Sequence, residues 1–380
     1  MTYQVINGNN IEVLKTFPDN HFDSIVTDPP YGIDFLGKDW DANTGALETY
    51  QECLRVLKPG GHILAFSAAR TYHHLAITLE QAGFEIRDQI MWIYSSGFPK
   101  SHDIGRKIQK KFGVKETKTI VQHDLRGKDG LVQKKGQVDI EQVVPTDALA
   151  KEWEGWGNAL KPAHEPICMA RKPMKSSILQ NVQDWGTGAI NINACRIGDD
   201  IMPVGAHTQT PNLFNPNKKS AYAEETRTGR YPANVIGEIK GYEKFFYCPK
   251  VSRKERHIGF DLTTIPTNPE GMLDHAYKQN DEFAGKNYQA VKNETLKTGN
   301  NHPTVKPVEL MKYLVKLVTP KGGTVLDPFN GSGSTGMACV ELNFNYVGID
   351  LDSNYVDISV KRIEAHDKKY SLNRELFVIE

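Results

Sequence analysis

The chain has 380 residues, enough for two domains or for one α/β domain of about 250 residues carrying large insertions. Basic and acidic side chains both total 46, so no global charge bias calls for a polyanion, and such a partner has to meet a local patch. The five cysteines (Cys53, Cys168, Cys195, Cys248, Cys339) form no C-x-x-C pair, which argues against a zinc or redox centre and for a reduced protein without a metal. No apolar run approaches the roughly 20 residues of a membrane helix, and Met1-Thr2-Tyr3-Gln4 lacks a signal-peptide pattern, so the expectation is a soluble, cytoplasmic protein without a membrane partner.

Strand and helix signals alternate over residues 3–100. Tyr3-Gln4-Val5-Ile6 reads as a short strand and Ile11 to Phe17 as a short amphipathic helix. Asp23 to Thr27 is a buried strand halted by Pro29-Pro30, because proline lacks an N–H for the sheet and restricts the residue before it. A helix over Thr44 to Leu57 stops at Pro59-Gly60-Gly61, and His62 to Phe66 is the next strand. A helix over Tyr72 to Gln81 ends at Gly83, followed by a strand over Ile86 to Tyr94. This pitch predicts a doubly wound, mostly parallel sheet.

The pattern breaks at Gly97-Phe98-Pro99-Lys100. Between Arg106 and Lys135 ten basic residues face three acidic ones, and residues 101–150 are expected to form a basic, helical insertion, either a solvated face or a surface that tracks phosphates. Glu165 to Ala170 is a further sheet strand within 151–175. Residues 176–300 are irregular; Tyr242 to Lys250 and Arg253-Lys254-Glu255-Arg256 mix aromatic and basic residues, a composition that suits either a small core or stacking on bases. Asp274 to Asn300 is expected to be a mobile loop, and a helix resumes over Val308 to Val318.

Two stretches carry chemistry. Thr27-Asp28-Pro29-Pro30-Tyr31-Gly32 delivers a carboxylate and an aromatic ring to a strand's carboxyl end, the edge where open parallel sheets bind ligands. Thr324-Val325-Leu326-Asp327 leads through Pro328 to Gly336 into a helix over Met337 to Leu342, and Gly331, Gly333 and Gly336 match G-x-G-x-x-G in the strand, turn, helix context. The next strand, Tyr346 to Ile349, ends in Asp350, a spacing that suits a carboxylate on ribose hydroxyls. A phosphate-binding P-loop lacks its lysine here, while a nicotinamide or flavin enzyme remains open from the glycines alone. Asp327 at the first strand tip would repel a pyrophosphate and attract the ammonium and sulfonium of S-adenosylmethionine.

With Asp28-Pro29-Pro30-Tyr31 first and Asp327-Pro328-Phe329-x-Gly331-Ser332-Gly333 last, the sequence resembles the β group of amino-group DNA methyltransferases, adenine-N6 or cytosine-N4. His164-Glu165-Pro166-Ile167, His302-Pro303-Thr304-Val305-Lys306-Pro307 and Gly348-Ile349-Asp350 share the resemblance. Gly97 to Lys100 and Lys161 to Pro173 further resemble phage and prophage members. Asn9 departs from it, since the family often has aspartate after the glycine corresponding to Gly8.

The resemblance implies a Rossmann-like, S-adenosyl-L-methionine-dependent fold in permuted motif order. Residues 1–100 would be its catalytic half, 301–380 its cofactor half and 176–300 its target-recognition region. Asp28 and the Pro29 carbonyl would accept the two hydrogens of the target amino group, Pro30 completes the turn, and Tyr31 would stack on a flipped base. Asp327, Phe329, Gly331, Ser332, Gly333 and Thr335 would line the donor, Asp350 would hold its ribose, and His302, Thr304 and Lys306 would lie at its other end, the last two on its carboxylate. Lys107, Lys110, Lys111, Arg253, Lys254 and Arg256 are the candidate contacts to double-stranded DNA. Aspartate in the first position of the D-P-P-Y element resembles the adenine enzymes, and a homodimer and a cognate restriction endonuclease fit the family. A cytosine-N4 enzyme, a nicotinamide-dependent oxidoreductase and a non-catalytic DNA-binding regulator stay open on sequence alone.

Overall fold

The computed structural model describes residues 1–33, 44–94, 101–112, 116–124, 133–142, 145–203, 226–237, 251–262, 299–300, 302 and 304–377, with backbone alone over 116–124, 133–142, 202–203, 253 and 371–377. The chain divides into two compact units, Met1–Ile93 with His164–Glu380, and Tyr94–Ala163. The first unit opens with β1 (Tyr3–Asn7), α1 (Asn10–Lys15), β2 (Phe22–Thr27), α2 (Leu47–Val56), β3 (Leu57–Phe66), α3 (Tyr72–Ala82) and β4 (Glu85–Ile93).

The second unit holds α4 (Ile104–Lys111), β5 (Glu116–Asp124), β6 (Gln133–Gln142) and α5 (Ala148–Glu152). Its middle is therefore an antiparallel two-stranded ladder, where the basic composition had predicted helix. Ile120, Val121, Val138 and Ile140 supply the β-branched positions that composition by charge overlooks. Asp103 caps α4 by accepting from the Arg106 N–H at 2.9 Å, and Asp147 caps α5 through the Leu149 N–H at 2.9 Å.

The first unit resumes with β7 (His164–Arg171), α6 (Ile178–Trp185), β8 (Ile197–Pro203), β9 (Thr226–Arg230), β10 (Val235–Gly237), α7 (Arg253–Arg256), α8 (Val308–Val318), β11 (Thr324–Asp327), α9 (Ser334–Leu342), β12 (Asn345–Asp350) and α10 (Ser353–Phe377). Eight strands form one sheet in the order β1-β12-β11-β2-β3-β7-β4-β10. Among the described strands of that sheet, β7 alone runs against its neighbours β3 and β4. The stretch 176–300 is not a separate body among the described residues: β8 and β9 form their own ladder, and β10 extends the main sheet beside β4. The expected loop over 274–300 falls outside the described residues except at its last two positions, as do Gly97 to Lys100 and Tyr242 to Lys250.

Successive side chains of a strand point to opposite faces, and both faces of this sheet are buried. Ile25, Ile63, Ala65, Cys168, Leu326 and Val347 face a core that includes Leu14, Tyr50, Leu75 and Leu79 from α1, α2 and α3. Their neighbours Val26, Leu64, Phe66, Ile167 and Val325 face α8 and α9 through Leu314, Val315, Met337 and Val340. β3 begins five residues earlier than expected, running through Pro59-Gly60-Gly61. Its pairing with β2 shifts register between Phe22 and Ser24, the kind of irregularity that accommodates a proline in a strand.

Candidate active site

β12, β11 and β2 are adjoining parallel strands, and each delivers an aspartate to the same carboxyl edge: Asp350, Asp327 and Asp28. Asp327 is 2% exposed. Its Oδ1 accepts from the Thr27 hydroxyl at 2.6 Å and from the Phe329 N–H at 3.2 Å, and its Oδ2 accepts from the Thr335 hydroxyl at 2.8 Å. Burial pushes its carboxyl up to about 7 against these stabilising hydrogen bonds. Asp350 accepts from the Gly331 N–H at 2.7 Å and the Asp352 N–H at 3.0 Å, and burial raises it to about 6.

The second cluster grows from the turn after β2. Two prolines after Asp28 stiffen the chain so that Tyr31 folds back, its hydroxyl 2.8 Å from Asp28 Oδ1. The same hydroxyl lies 2.9 Å from Glu165 Oε2, at the start of β7. Lys306, 6% exposed in the loop before α8, donates to Asp28 Oδ2 at 2.5 Å and to the Tyr31 hydroxyl at 3.1 Å, and sits 3.4 Å from Glu165. Burial pulls its ammonium down, but the attraction of Asp28 and Glu165 outweighs this and holds it above the usual lysine value. Phe66 closes the site with its ring centroid 4.9 Å from the ammonium. Lys306 was expected at a donor carboxylate; in this structure its ammonium is engaged by the D-P-P-Y cluster instead.

The glycine turn is built against protein rather than open space. Gly331 and Gly333 adopt the left-handed backbone, at φ +52° and +76°. A Cβ on Gly331 would meet the His302 ring at 2.9 Å, and one on Gly333 would meet Ser359 of α10 at 2.8 Å. His302 is locked in turn: its Nδ1 donates to the Thr304 carbonyl at 2.6 Å and its ring stacks edge-on with Tyr355. Burial lowers its imidazole to about 4, so it stays neutral. Thr304 itself is exposed and Phe329 partly buried. Behind the turn, the fully buried Arg362 donates to the Ser332 carbonyl and, at 3.0 Å, to its hydroxyl.

The basic candidates separate. Lys107, Lys110 and Lys111 are exposed along α4, and Lys254 is exposed on α7. Arg256 turns inward and donates to the His302 carbonyl at 3.0 Å, so it supports the loop beside the glycine turn. The side chain of Arg253 lies outside the described residues. Sequence reasoning missed Thr27, Phe66, Glu165 and Arg362. Glu165 carried a signal, since it lies in the H-E-P-I stretch at the head of a strand, whereas nothing local marks Arg362 on its helix.

An acidic strand edge repels a pyrophosphate and suits a cation, which separates this sheet from the dinucleotide enzymes that share its glycine pattern. What the edge and the D-P-P-Y turn define together is a Rossmann-like methyltransferase. The chain belongs to the N6/N4 DNA methylase family, whose profile matches residues 22–361. Its cofactor is accordingly S-adenosyl-L-methionine. The chain is 21% identical to the type II methyltransferase M.HindIII of Haemophilus influenzae, with 98% of each chain covered. It is 36% identical to the type II methyltransferase M.Cfr9I of Citrobacter freundii over 48% of this chain and 67% of that one. The crystal structure of an M1.HpyAVI–SAM complex covers 95% of this chain and 100% of its own at 17% identity, with a TM-score of 0.42. Among the described residues no helix is long and apolar enough to cross a membrane.

Proposed function

We propose that the protein transfers a methyl group to the exocyclic N6 of adenine in double-stranded DNA. The observation that carries this reading is Asp28, fixed at a strand end by Tyr31 and Lys306 so that a carboxylate faces the edge where the donor binds. Aspartate in that position of D-P-P-Y resembles the adenine enzymes, which favours N6 over the chemically similar N4 of cytosine.

S-adenosylmethionine, when bound, supplies an electrophilic methyl group on sulfonium. Asp350 would fit its ribose, because its carboxylate, held by the backbone N–H groups of Gly331, Leu351 and Asp352, keeps a lone pair for a hydroxyl. Asp327 would offer negative charge to the cationic end, the half-buried Phe329 would line the donor, Thr335 would act through its hydrogen bond to Asp327, and the exposed Thr304 would meet the donor's carboxylate. The Gly331, Ser332 and Gly333 backbone shapes the turn that Asp350, His302 and Arg362 hold.

Asp28 accepts one hydrogen of the target amino group and the Pro29 carbonyl accepts the other, directing the nitrogen lone pair at the methyl carbon. Tyr31, anchored through its hydroxyl, stacks on a base swung out of the duplex, since the amino nitrogen is unreachable inside the stack. The contribution to rate is alignment plus stabilisation of the positive charge that develops on nitrogen next to Asp28. Lys107, Lys110, Lys111 and Lys254, all exposed, are the basic residues suited to phosphates. The likeness to type II methyltransferases supports a restriction-modification role with a cognate endonuclease.

The test is incubation of the purified protein with S-adenosylmethionine and unmethylated bacterial DNA, digestion to nucleosides, and mass spectrometry. N6-methyladenine is the expected product. N4-methylcytosine would replace the base assignment and keep the mechanism, and no product despite bound donor would sink the reading.

A further inference from the structure

Methyl transfer to an amine frees a proton, and the cluster around Tyr31 contains one more carboxylate than substrate binding needs. We propose that Glu165, acting through the Tyr31 hydroxyl, is the terminal acceptor of that proton, so that Asp28, Tyr31 and Glu165 form a relay from substrate to solvent. The inference rests on the methyltransferase reading above and deepens it.

The geometry is that of a relay because the Tyr31 hydroxyl has one proton and two carboxylate acceptors at nearly equal range, 2.8 Å to Asp28 Oδ1 and 2.9 Å to Glu165 Oε2. Lys306 donates to the same oxygen at 3.1 Å and steadies it between the two carboxylates. Lys306 also touches both carboxylates, so neither end of the chain becomes an isolated buried charge at any stage. Burial, followed by the charges of Asp28 and Glu165, holds the Tyr31 hydroxyl well above the usual phenol value, so it passes a proton without resting as phenolate. The Asp28 and Glu165 side chains are 20% and 21% exposed, and a target base seated on Asp28 would cover the first and leave Glu165 as the outlet to water.

The balance closes without a further reactant. A nitrogen–methyl bond forms as the methyl–sulfur bond breaks, the sulfur keeps the electron pair as a neutral thioether, and the positive charge moves to nitrogen. One N–H proton passes to Asp28 as that charge develops, so a blocked relay slows the transfer itself. The new Asp28 O–H passes its proton to the Tyr31 oxygen while the Tyr31 O–H breaks toward Glu165, and Glu165 releases the proton to water. The net yield is a neutral methylated amine, the thioether and one proton.

The test measures single-turnover methyl transfer and donor affinity for wild type, Glu165→Gln, Glu165→Ala and Tyr31→Phe. Glutamine keeps the shape of Glu165 and its ability to accept from Tyr31, yet cannot take up the proton. E165Q is therefore expected to transfer at least about tenfold more slowly with donor affinity unchanged, and E165A to be accelerated by added acetate or formate. Tyr31→Phe combined with Glu165→Gln should be no slower than the slower single variant, because one broken link stops the relay. E165Q within about twofold of wild type, or E165A that ignores added carboxylates, would overturn the relay while wild-type activity leaves the underlying reading intact. A wild type that transfers no methyl group to DNA removes both.

Discussion

Lys306 Nζ lies 2.5 Å from Asp28 Oδ2, joining the loop before α8 to the end of β2 across 278 residues of sequence. One ammonium thereby balances two carboxylates, Asp28 and Glu165, that share the Tyr31 hydroxyl. Lys306→Met leaves both acids without their countercharge. Breaking a buried pair from one side costs about 3–5 kcal/mol, and the partial exposure of both acids reduces this to about 2 kcal/mol. Urea unfolding should report that loss, and methyl transfer should fall far more than donor affinity. A variant with reduced donor affinity and intact transfer would return Lys306 to the donor's carboxylate.

The strands were legible in the sequence where a single rule decided them. Ser24-Ile25-Val26-Thr27 before two prolines, and Thr324 to Asp327 before a glycine turn, ended where expected because proline and positive-φ glycine stop a strand by local sterics. The helix Val308–Val318 matched in full, bounded by Pro307 and Pro320. The helical expectation for 101–150 holds at its ends, in α4 and α5, and fails over Glu116–Asp124 and Gln133–Gln142, where charge masked a β-branched pattern; β10 was missed because three residues leave no periodicity to read. The site was legible as motifs but not as contacts. Glu165 and Arg362 reach their partners across 134 and 30 residues respectively, and such pairings are set by the topology of the sheet rather than by spacing along the chain.

Asp28→Ala should abolish methyl transfer, by at least about a hundredfold, while donor affinity stays near wild type. The reason is positional: Asp28 bonds to Tyr31 and Lys306, whereas the glycine turn bonds to Asp350 and Arg362. Single-turnover kinetics beside calorimetry of donor binding separates the two effects. Substantial turnover by the variant would remove Asp28 from the chemistry.

Asp327 and Asp350 should make donor binding depend on pH. Burial raises their carboxyls from 3.8 to about 7 and about 6, so the folded protein holds protons in that window that the unfolded chain has released. The stability they contribute is complete below the unfolded value and is lost as pH rises through the folded values. Asp327→Asn should therefore remove part of the fall in stability between about pH 4 and about pH 7. A bound cation and ribose hydroxyls favour the ionised forms, so donor binding should expel protons and tighten from about pH 5 to about pH 8. Calorimetry near pH 6 in two buffers of different ionisation enthalpy reads the release directly. An apparent enthalpy independent of buffer would refute it.

Arg362 holds the glycine turn from behind. Its guanidinium is fully buried, donates to the Ser332 carbonyl and hydroxyl, and reaches the Glu255 carbonyl at 3.3 Å. Arg362→Met leaves a buried carbonyl unpaired and should cost about 2–3 kcal/mol. The turn then relaxes, so donor affinity should fall beyond what lost stability explains at a temperature where the variant remains folded. Arg362→Lys, which restores one donor without the planar fork, should recover only part of that affinity. Full affinity in the methionine variant would show that Gly331, Gly333 and the packing of α10 shape the turn unaided.

The exposed lysines of α4 test whether the second unit reads phosphates. Lys107, Lys110 and Lys111 lie within two turns of one helix, and the last of them stands next to the 57%-exposed Phe112. Each phosphate that a lysine neutralises releases a counterion and steepens the fall of log affinity with log salt by about 0.9 for duplex DNA. Replacing all three by glutamine should therefore make that slope shallower by up to about 2.7, with sequence preference unchanged because phosphate contacts carry no base information. Donor affinity measured without DNA should stay at the wild-type value, which separates a lost DNA contact from damage to the fold. Filter binding at several salt concentrations gives the slope; an unchanged slope would mark this helix as a solvated face and move the phosphate contacts elsewhere.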